Sequence, residues 1–164
     1  INMIRIKDFD ALERISITAE KLSAGEILQI EKSMTKSMDE ATYFDMIGQK
    51  TASLIATSCE LGAITTTKKQ ADRKSTYDFG HNLGIAFQIK DDILDVIGDE
   101  KVIGKPIKSD LKLKKSSYPS IIGLEASQER AEKLCAEALA ILTKLPYKTD
   151  NLKKLSKFII FRKK

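Results

Sequence analysis

The stretch Phe87-Gln88-Ile89-Lys90-Asp91-Asp92-Ile93-Leu94-Asp95-Val96-Ile97-Gly98 decides how the rest of the chain is read. At a helical advance of about 100° per residue, Gly84, Gln88 and Asp95 fall within about 60° of Asp91, and Asp92 lies about 100° away. Ile85, Ile89, Ile93 and Val96 gather on the opposite side. One face therefore suits a core, and the other presents three carboxylates and an amide.

Carboxylates this close repel one another and raise one another's pKa unless a cation sits among them. Asp91, Asp92 and Asp95 are hard oxygen donors with no His or Cys beside them. Such donors select magnesium (Mg2+) or calcium over zinc. Mg2+ is usually held by one or two carboxylates, waters and substrate phosphates. The spacing differs from the alternating acidic loop of an EF-hand. The competing reading is a solvated acidic helix face.

The 164 residues suffice for one domain with a real core. With 42% hydrophobic and 31% charged residues, the composition is that of a soluble globular protein. No apolar run approaches the roughly 20 residues that span a bilayer, and the N-terminus lacks a signal-peptide plan. Cys59 and Cys135 lie far apart in helical patterns and read as reduced, packed residues of a cytoplasmic protein. The net charge of +5 admits nucleic acid, an anionic membrane or an anionic small molecule as partner. With no Trp, no aromatics interleaved among the lysines and no zinc-finger, RRM or helix-turn-helix signature, nucleic acid is disfavoured.

Taken in order, Asp8 to about Met34 has a helical pattern. Ile15, Leu22 and Gln29 share one side with Ala19 and Glu26. Glu26 and Gln29 either find a buried partner or meet water at the rim of that stripe. Ser23-Ala24-Gly25 is small enough for another helix to approach closely. Ser37 or Asp39 caps a second helix running to about Leu61, with a stripe of Phe44, Ile47, Leu54, Ile55 and Leu61 and with Thr51 in its middle. Lys50, at the edge of the stripe, directs its ammonium into a cavity or out to solvent. Gly62 suits a left-handed C-cap.

A long helix is expected from about Lys69 to Ile97, with Gly80 and Gly84 giving a smooth patch for close approach. His81 reads as structural. Gly98 should break this helix, and Gly98 to Pro119 reads as a loop carrying Lys101, Lys105, Lys108, Lys112, Lys114 and Lys115. A cationic loop joined to a carboxylate helix suits a metal diphosphate, the lysines neutralising oxygens that the metal leaves. A solvated basic loop is the alternative. A short helix follows around Ser120 to Glu125, and Ser127 caps another to about Lys144. Thr149 or Asp150 caps the last helix, with Leu152, Leu155 and Ile159 inward and Arg162-Lys163-Lys164 in its last turn, where cations suit the helix dipole. No strand and no internal repeat is expected. The fold class is all-α.

Phe87-Gln88-Ile89-Lys90-Asp91-Asp92-Ile93-Leu94-Asp95 resembles the second aspartate-rich motif of the trans-isoprenyl diphosphate synthases, or polyprenyl synthetases. Gly98-Asp99, Gly104-Lys105-Pro106, Ser109-Asp110 and Lys115-Ser116-Ser117-Tyr118-Pro119 are similar to that family's continuation. Phe158 to Lys164 resembles its C-terminus. Upstream, Gly25-Glu26-Ile27-Leu28-Gln29 and Gln49-Lys50-Thr51-Ala52-Ser53-Leu54-Ile55 match two further motifs. The part after Gly84 is most similar to bacterial farnesyl diphosphate synthases. The Gly-Glu-Ile-Leu-Gln string is more like longer-chain polyprenyl synthases.

The resemblance implies an all-helical bundle around a central cavity, usually a homodimer, that joins an allylic diphosphate to isopentenyl diphosphate with Mg2+. It implies metal-binding roles for Asp91, Asp92 and Asp95. It gives Lys50 and Lys105 to the allylic diphosphate, with Lys115 as another basic position nearby. Thr51 and Gln88 would line the reacting end, and Phe87 and Gln29 would lie near the substrate. The family's first aspartate-rich motif has no counterpart between Ile1 and Gly25, where Asp8 and Asp10 are too few. The basic segment that grips isopentenyl diphosphate is likewise missing, and Ile107-Lys108 stands where a glycine is common. The chain is therefore expected to be the C-terminal part of such an enzyme, with little turnover alone. A helical subunit whose partner supplies the first motif is a second reading, and a terpene cyclase a third.

Overall fold

The helix α4, Gln70–Ile103, is the axis on which the other elements are packed. A computed structural model of the chain describes residues 7–35, 38–103 and 117–162, with side chains described as far as Gly98 and again from Ser117. The order is α1 (Phe9–Thr35), α2 (Glu40–Ile47), a π-helical turn (Gly48–Ala52), α3 (Ser53–Ile64), α4, α5 (Tyr118–Ile122), α6 (Leu124–Lys144) and α7 (Asp150–Phe161). No strand occurs among the described residues, so the all-α expectation holds. No helix among them is long and apolar enough to cross a membrane.

The isoleucine face of α4 forms the core. Ile85, Ile89 and Ile93 are buried together with Tyr43, Ile47, Ala52, Tyr118, Ala131 and Ile160. Each fully buried isoleucine contributes roughly 1.5–3 kcal/mol through apolar area removed from water. A second cluster joins Phe79 and Leu83 of α4 to Ala138 and Leu142 of α6. Gly80 and Gly84 bring α4 against α3 and the π turn. A Cβ at Gly84 would stand 2.6 Å from Cα of Ala52, and one at Gly80 2.7 Å from Cα of Ala56. The close approach read from these glycines is thus present.

Several local expectations give way. Gly98 does not end α4, which continues to Ile103. An exposed glycine costs a helix only about 1 kcal/mol, which a well-packed neighbouring turn can carry. Gly62 lies inside α3, and the cap is Thr65 in a right-handed conformation. The helix expected at Ser120 to Glu125 lies at Tyr118–Ile122, with Pro119 in its first turn. Gly123, at φ 90°, separates it from α6. Ser127 lies within α6, and its hydroxyl donates to the carbonyl of Gly123 at 2.6 Å.

In α7 the buried residues are Ser156 and Ile160, whereas Leu152 and Leu155 stay exposed and Ile159 is half-buried. In α1 the buried line is Ala11, Thr18 and Gly25, rotated by about 60° from the expected stripe on a 100° count. The small faces of α1 and α3 meet there, and the Thr18 and Thr57 hydroxyls are 2.6 Å apart. Cys135 is buried and Cys59 half-buried, both unpaired. Burial pushes the Cys59 thiol up to about 11, which keeps it a packing group at neutral pH.

Candidate metal and diphosphate site

Asp39 starts α2 by accepting from the Thr42 N–H at 2.7 Å. The helix then widens into the π turn, where the Ser53 N–H reaches back to the Gly48 carbonyl. π turns insert one extra residue into a helix and are frequent at functional sites. Here the turn carries Lys50 and Thr51 between α1 and α4.

Lys50 faces α1. Its ammonium lies 2.7 Å from Oε2 of Glu26 and donates to Oε1 of Gln29. Both readings of Glu26 and Gln29 hold in part: Lys50 partners them, yet Glu26 stays exposed at the rim of the stripe. Gly25 makes this contact possible, since a Cβ there would stand 2.6 Å from the Lys50 backbone nitrogen.

Thr51 faces α4. Its hydroxyl donates to Oε1 of Gln88 at 3.0 Å, and Nε2 of Gln88 donates to Oδ1 of Asp92 at 3.2 Å. The relay fixes which way the Gln88 amide points. Oδ2 of Asp92 accepts from the Tyr43 hydroxyl at 2.8 Å and from the Tyr118 N–H at 2.9 Å. Asp92 is thus held by α2, α4 and α5 together.

A cleft of about 220 Å³ lies between these walls, lined by Gln29, Tyr43, Met46, Ile47, Lys50, Thr51, Gln88, Asp92, Asp95 and Ser117. Six of the residues singled out from sequence share it: Gln29, Lys50, Thr51, Gln88, Asp92 and Asp95. Asp91 is turned aside, its carboxylate paired with Arg162 at the end of α7. Phe87 lines a separate apolar groove with Leu54, Leu83, Leu155 and Ile159. Lys105 and Lys115 lie outside the described residues, as does most of the lysine-rich loop. His81 does not line the cleft, and its ring stacks on Tyr77.

Burial raises the pKa of the Asp92 carboxyl, its three hydrogen bonds pull the other way, and the Asp95 charge raises it further. Burial also raises Asp91, with Arg162 as the main offset. Tyr43 is pushed far above the usual phenol range by burial and by Asp92, so it remains a donor. Among the described residues, no three His, Cys, Asp or Glu side chains converge in the manner of a complete metal cage. The donor set still fits Mg2+, which asks for one or two carboxylates and takes its other oxygens from water and phosphate.

The sequence singles out neither Tyr43 nor the pairing role of Arg162, and it gives Ser117 only as part of the Lys115 to Pro119 string. Tyr43 falls on the apolar side of a short helix and carries no signal of its own. Arg162 was legible only as a cation at a helix end.

Fold and cleft together define an all-α bundle in which aspartates of α4 and a lysine of the π turn line one cleft. A profile of the polyprenyl synthetase family matches residues 2–158, and the chain belongs to that family. It is 40% identical over 134 residues to a geranylgeranyl diphosphate synthase of Sulfolobus acidocaldarius, covering 82% of this chain and 40% of that protein. The chain thus spans well under half the length of that relative. A decaprenyl diphosphate synthase from Rhodobacter capsulatus shares the fold with a TM-score of 0.85 at 24% identity, covering 99% of this chain and 62% of that one. A polyprenyl synthase from Caulobacter crescentus, solved with calcium and isoprenyl diphosphate, aligns with a TM-score of 0.79 at 27% identity, covering 98% and 61%.

Proposed function

We propose that this chain forms the carboxylate wall and one lysine of a Mg2+-dependent prenyltransferase, which condenses an allylic diphosphate with isopentenyl diphosphate. The observation that carries the reading is that Lys50, Asp92 and Asp95 line one cleft. Asp92 and Asp95 would hold the metal there, with Asp91 as a third ligand once freed from Arg162. Bound Mg2+ would supply charge neutralisation for a departing diphosphate and so favour cleavage of the allylic C–O bond.

The residues of the chain do the rest. Lys50 presents a cation to diphosphate oxygens, and Glu26 and Gln29 hold it in place. Thr51 and Gln88 orient the carboxylate and line the reacting end. The apolar back of the cleft, Met46 and Ile47, limits water that would quench an allylic cation. Lys105 and Lys115 are assigned to the same diphosphate by resemblance.

With one acidic cluster in its sequence, the chain by itself is assigned little turnover, the opposing carboxylates coming from elsewhere in a complete enzyme or from a partner. A cytoplasmic homodimer, and one helical domain over residues 1–164, complete the proposal. Calorimetry with pyrophosphate, with and without Mg2+, tests it. Binding should require Mg2+, and Asp92→Ala should abolish the Mg2+-dependent part. Unchanged binding in that variant, with fold retained, refutes the site. Turnover of geranyl and isopentenyl diphosphates near that of full-length relatives refutes the assignment of low activity.

A further inference from the structure

Arg162 follows the last turn of α7, yet its side chain is only 14% exposed. Three contacts hold the guanidinium. Nη2 donates to Oδ1 of Asp91, Nη1 donates to the Ile159 carbonyl at 3.3 Å, and the planar group lies 4.7 Å from the centroid of the Phe87 ring. A guanidinium keeps its charge at every working pH. Asp91 therefore already has a cation, and it stands outside the cleft that Asp92 and Asp95 line.

We propose that Arg162 is a built-in substitute for metal at Asp91, so that the docked C-terminal turn and a divalent cation on Asp91 exclude one another. This rests on the metal reading above and adds a competitor to it. A carboxylate oxygen given to the guanidinium is withdrawn from a metal, and a dication beside Arg162 repels it. Coupling of this kind is reciprocal. The metal releases the turn, and loss of Arg162 tightens the metal. Arg162 acts here as a positioning residue, with no role in the chemical step.

The test is titration of Mn2+ in the presence of pyrophosphate, followed by electron paramagnetic resonance of the free ion. Arg162→Gln should tighten the apparent Kd by about fivefold or more, and Arg162→Lys, which keeps the charge but loses the planar fork, should fall between the two. In an Asp91→Asn background Arg162→Gln should have no effect. The reciprocal arm uses Phe161→Trp, a single reporter in a chain without tryptophan, at a side chain that is 59% exposed. Its emission should change on adding Mg2+ with pyrophosphate and stay constant when Asp91 is Asn.

An Arg162→Gln Kd within about twofold of wild type, with circular dichroism unchanged, overturns the competition while leaving the metal site standing. Absence of Mn2+ binding in every variant overturns the metal site and the competition with it. Should Arg162→Gln fail to fold, the reporter in otherwise wild-type protein decides, and constant emission at saturating Mg2+ overturns the proposal.

Discussion

Replacing Gly25 by alanine should destabilise the protein, although alanine is the better helix former. Gly25 is buried within α1 where that helix crosses the π turn. A Cβ there would lie 2.6 Å from the Lys50 nitrogen and 2.9 Å from Lys50 Cα and Cβ. Two of those three atoms are backbone, so no side-chain rotation relieves the overlap, and α1 must move outward. Overpacking of this kind costs about 1–3 kcal/mol, while the gain in helix propensity returns at most about 1 kcal/mol. The expected net loss is about 2 kcal/mol. Gly62 provides the control, because it lies in α3 with nothing within 4 Å of a Cβ. There the same substitution should stabilise by about 0.5–1 kcal/mol. Urea unfolding followed by far-UV circular dichroism resolves the opposite signs as shifts of the midpoint in opposite directions. Withdrawal of α1 also takes Glu26 and Gln29 from Lys50, so pyrophosphate affinity should fall in Gly25→Ala and hold in Gly62→Ala. A Gly25→Ala protein as stable as wild type, beside a stabilised Gly62→Ala, would show that the contact between α1 and the π turn is looser than described.

Lys50→Met should weaken Mg2+-dependent pyrophosphate binding by about 10–100-fold, the worth of one hydrogen bond from a charged group. It should leave the urea midpoint nearly unchanged, because a half-exposed ion pair contributes little to stability. Asp92→Asn should abolish that binding yet raise the melting temperature of the metal-free protein at pH 7. The pKa of Asp92 is raised in the fold, so its contribution to stability is present below the unfolded carboxylate pKa and lost as pH rises through the folded one. The advantage of Asn should accordingly shrink towards pH 4, and a melting temperature lowered at pH 7 would contradict the sign. Ile89→Ala, at a core side chain with 0% exposure, should cost about 2–5 kcal/mol in urea unfolding.

The helical class and the apolar face of α4 were legible because they rest on one regular helix. Ile85, Ile89 and Ile93 repeat at four-residue spacing with no break between them, so a 100° count carries each to the core side it occupies. Gly80 and Gly84 were legible for the same reason. The loop after Gly98 reads too early because composition reports propensity, and one exposed glycine costs a helix only about 1 kcal/mol. The trio of aspartates was legible as a spacing only. Which carboxylate enters the cleft depends on Tyr43, Tyr118 and Arg162, which come from three other helices and leave no trace in local periodicity.

The second helix shows how one extra residue rewrites a stripe. A regular helix would carry the buried side from Ile47 through Thr51 to Leu54 and Ile55. The buried positions actually run from Ile47 to Ala52, Ser53, Ala56, Glu60 and Ala63. The offset of one residue begins at the π turn, whose wider bonding accommodates the added residue. Two consequences follow from that single offset. Leu54 is thrown to the surface at 51% exposure, where it borders the apolar groove. Thr51 leaves the core line and meets Gln88 at the cleft, one residue after Lys50 reaches α1. In a straight helix a buried Thr51 would turn its hydroxyl back to the carbonyl one turn earlier, as Ser53 does to Gln49, and would not reach Gln88. The π turn thus takes a polar residue out of the packing and places it in the site, which is why a pattern read at constant period finds the helix and misplaces its faces.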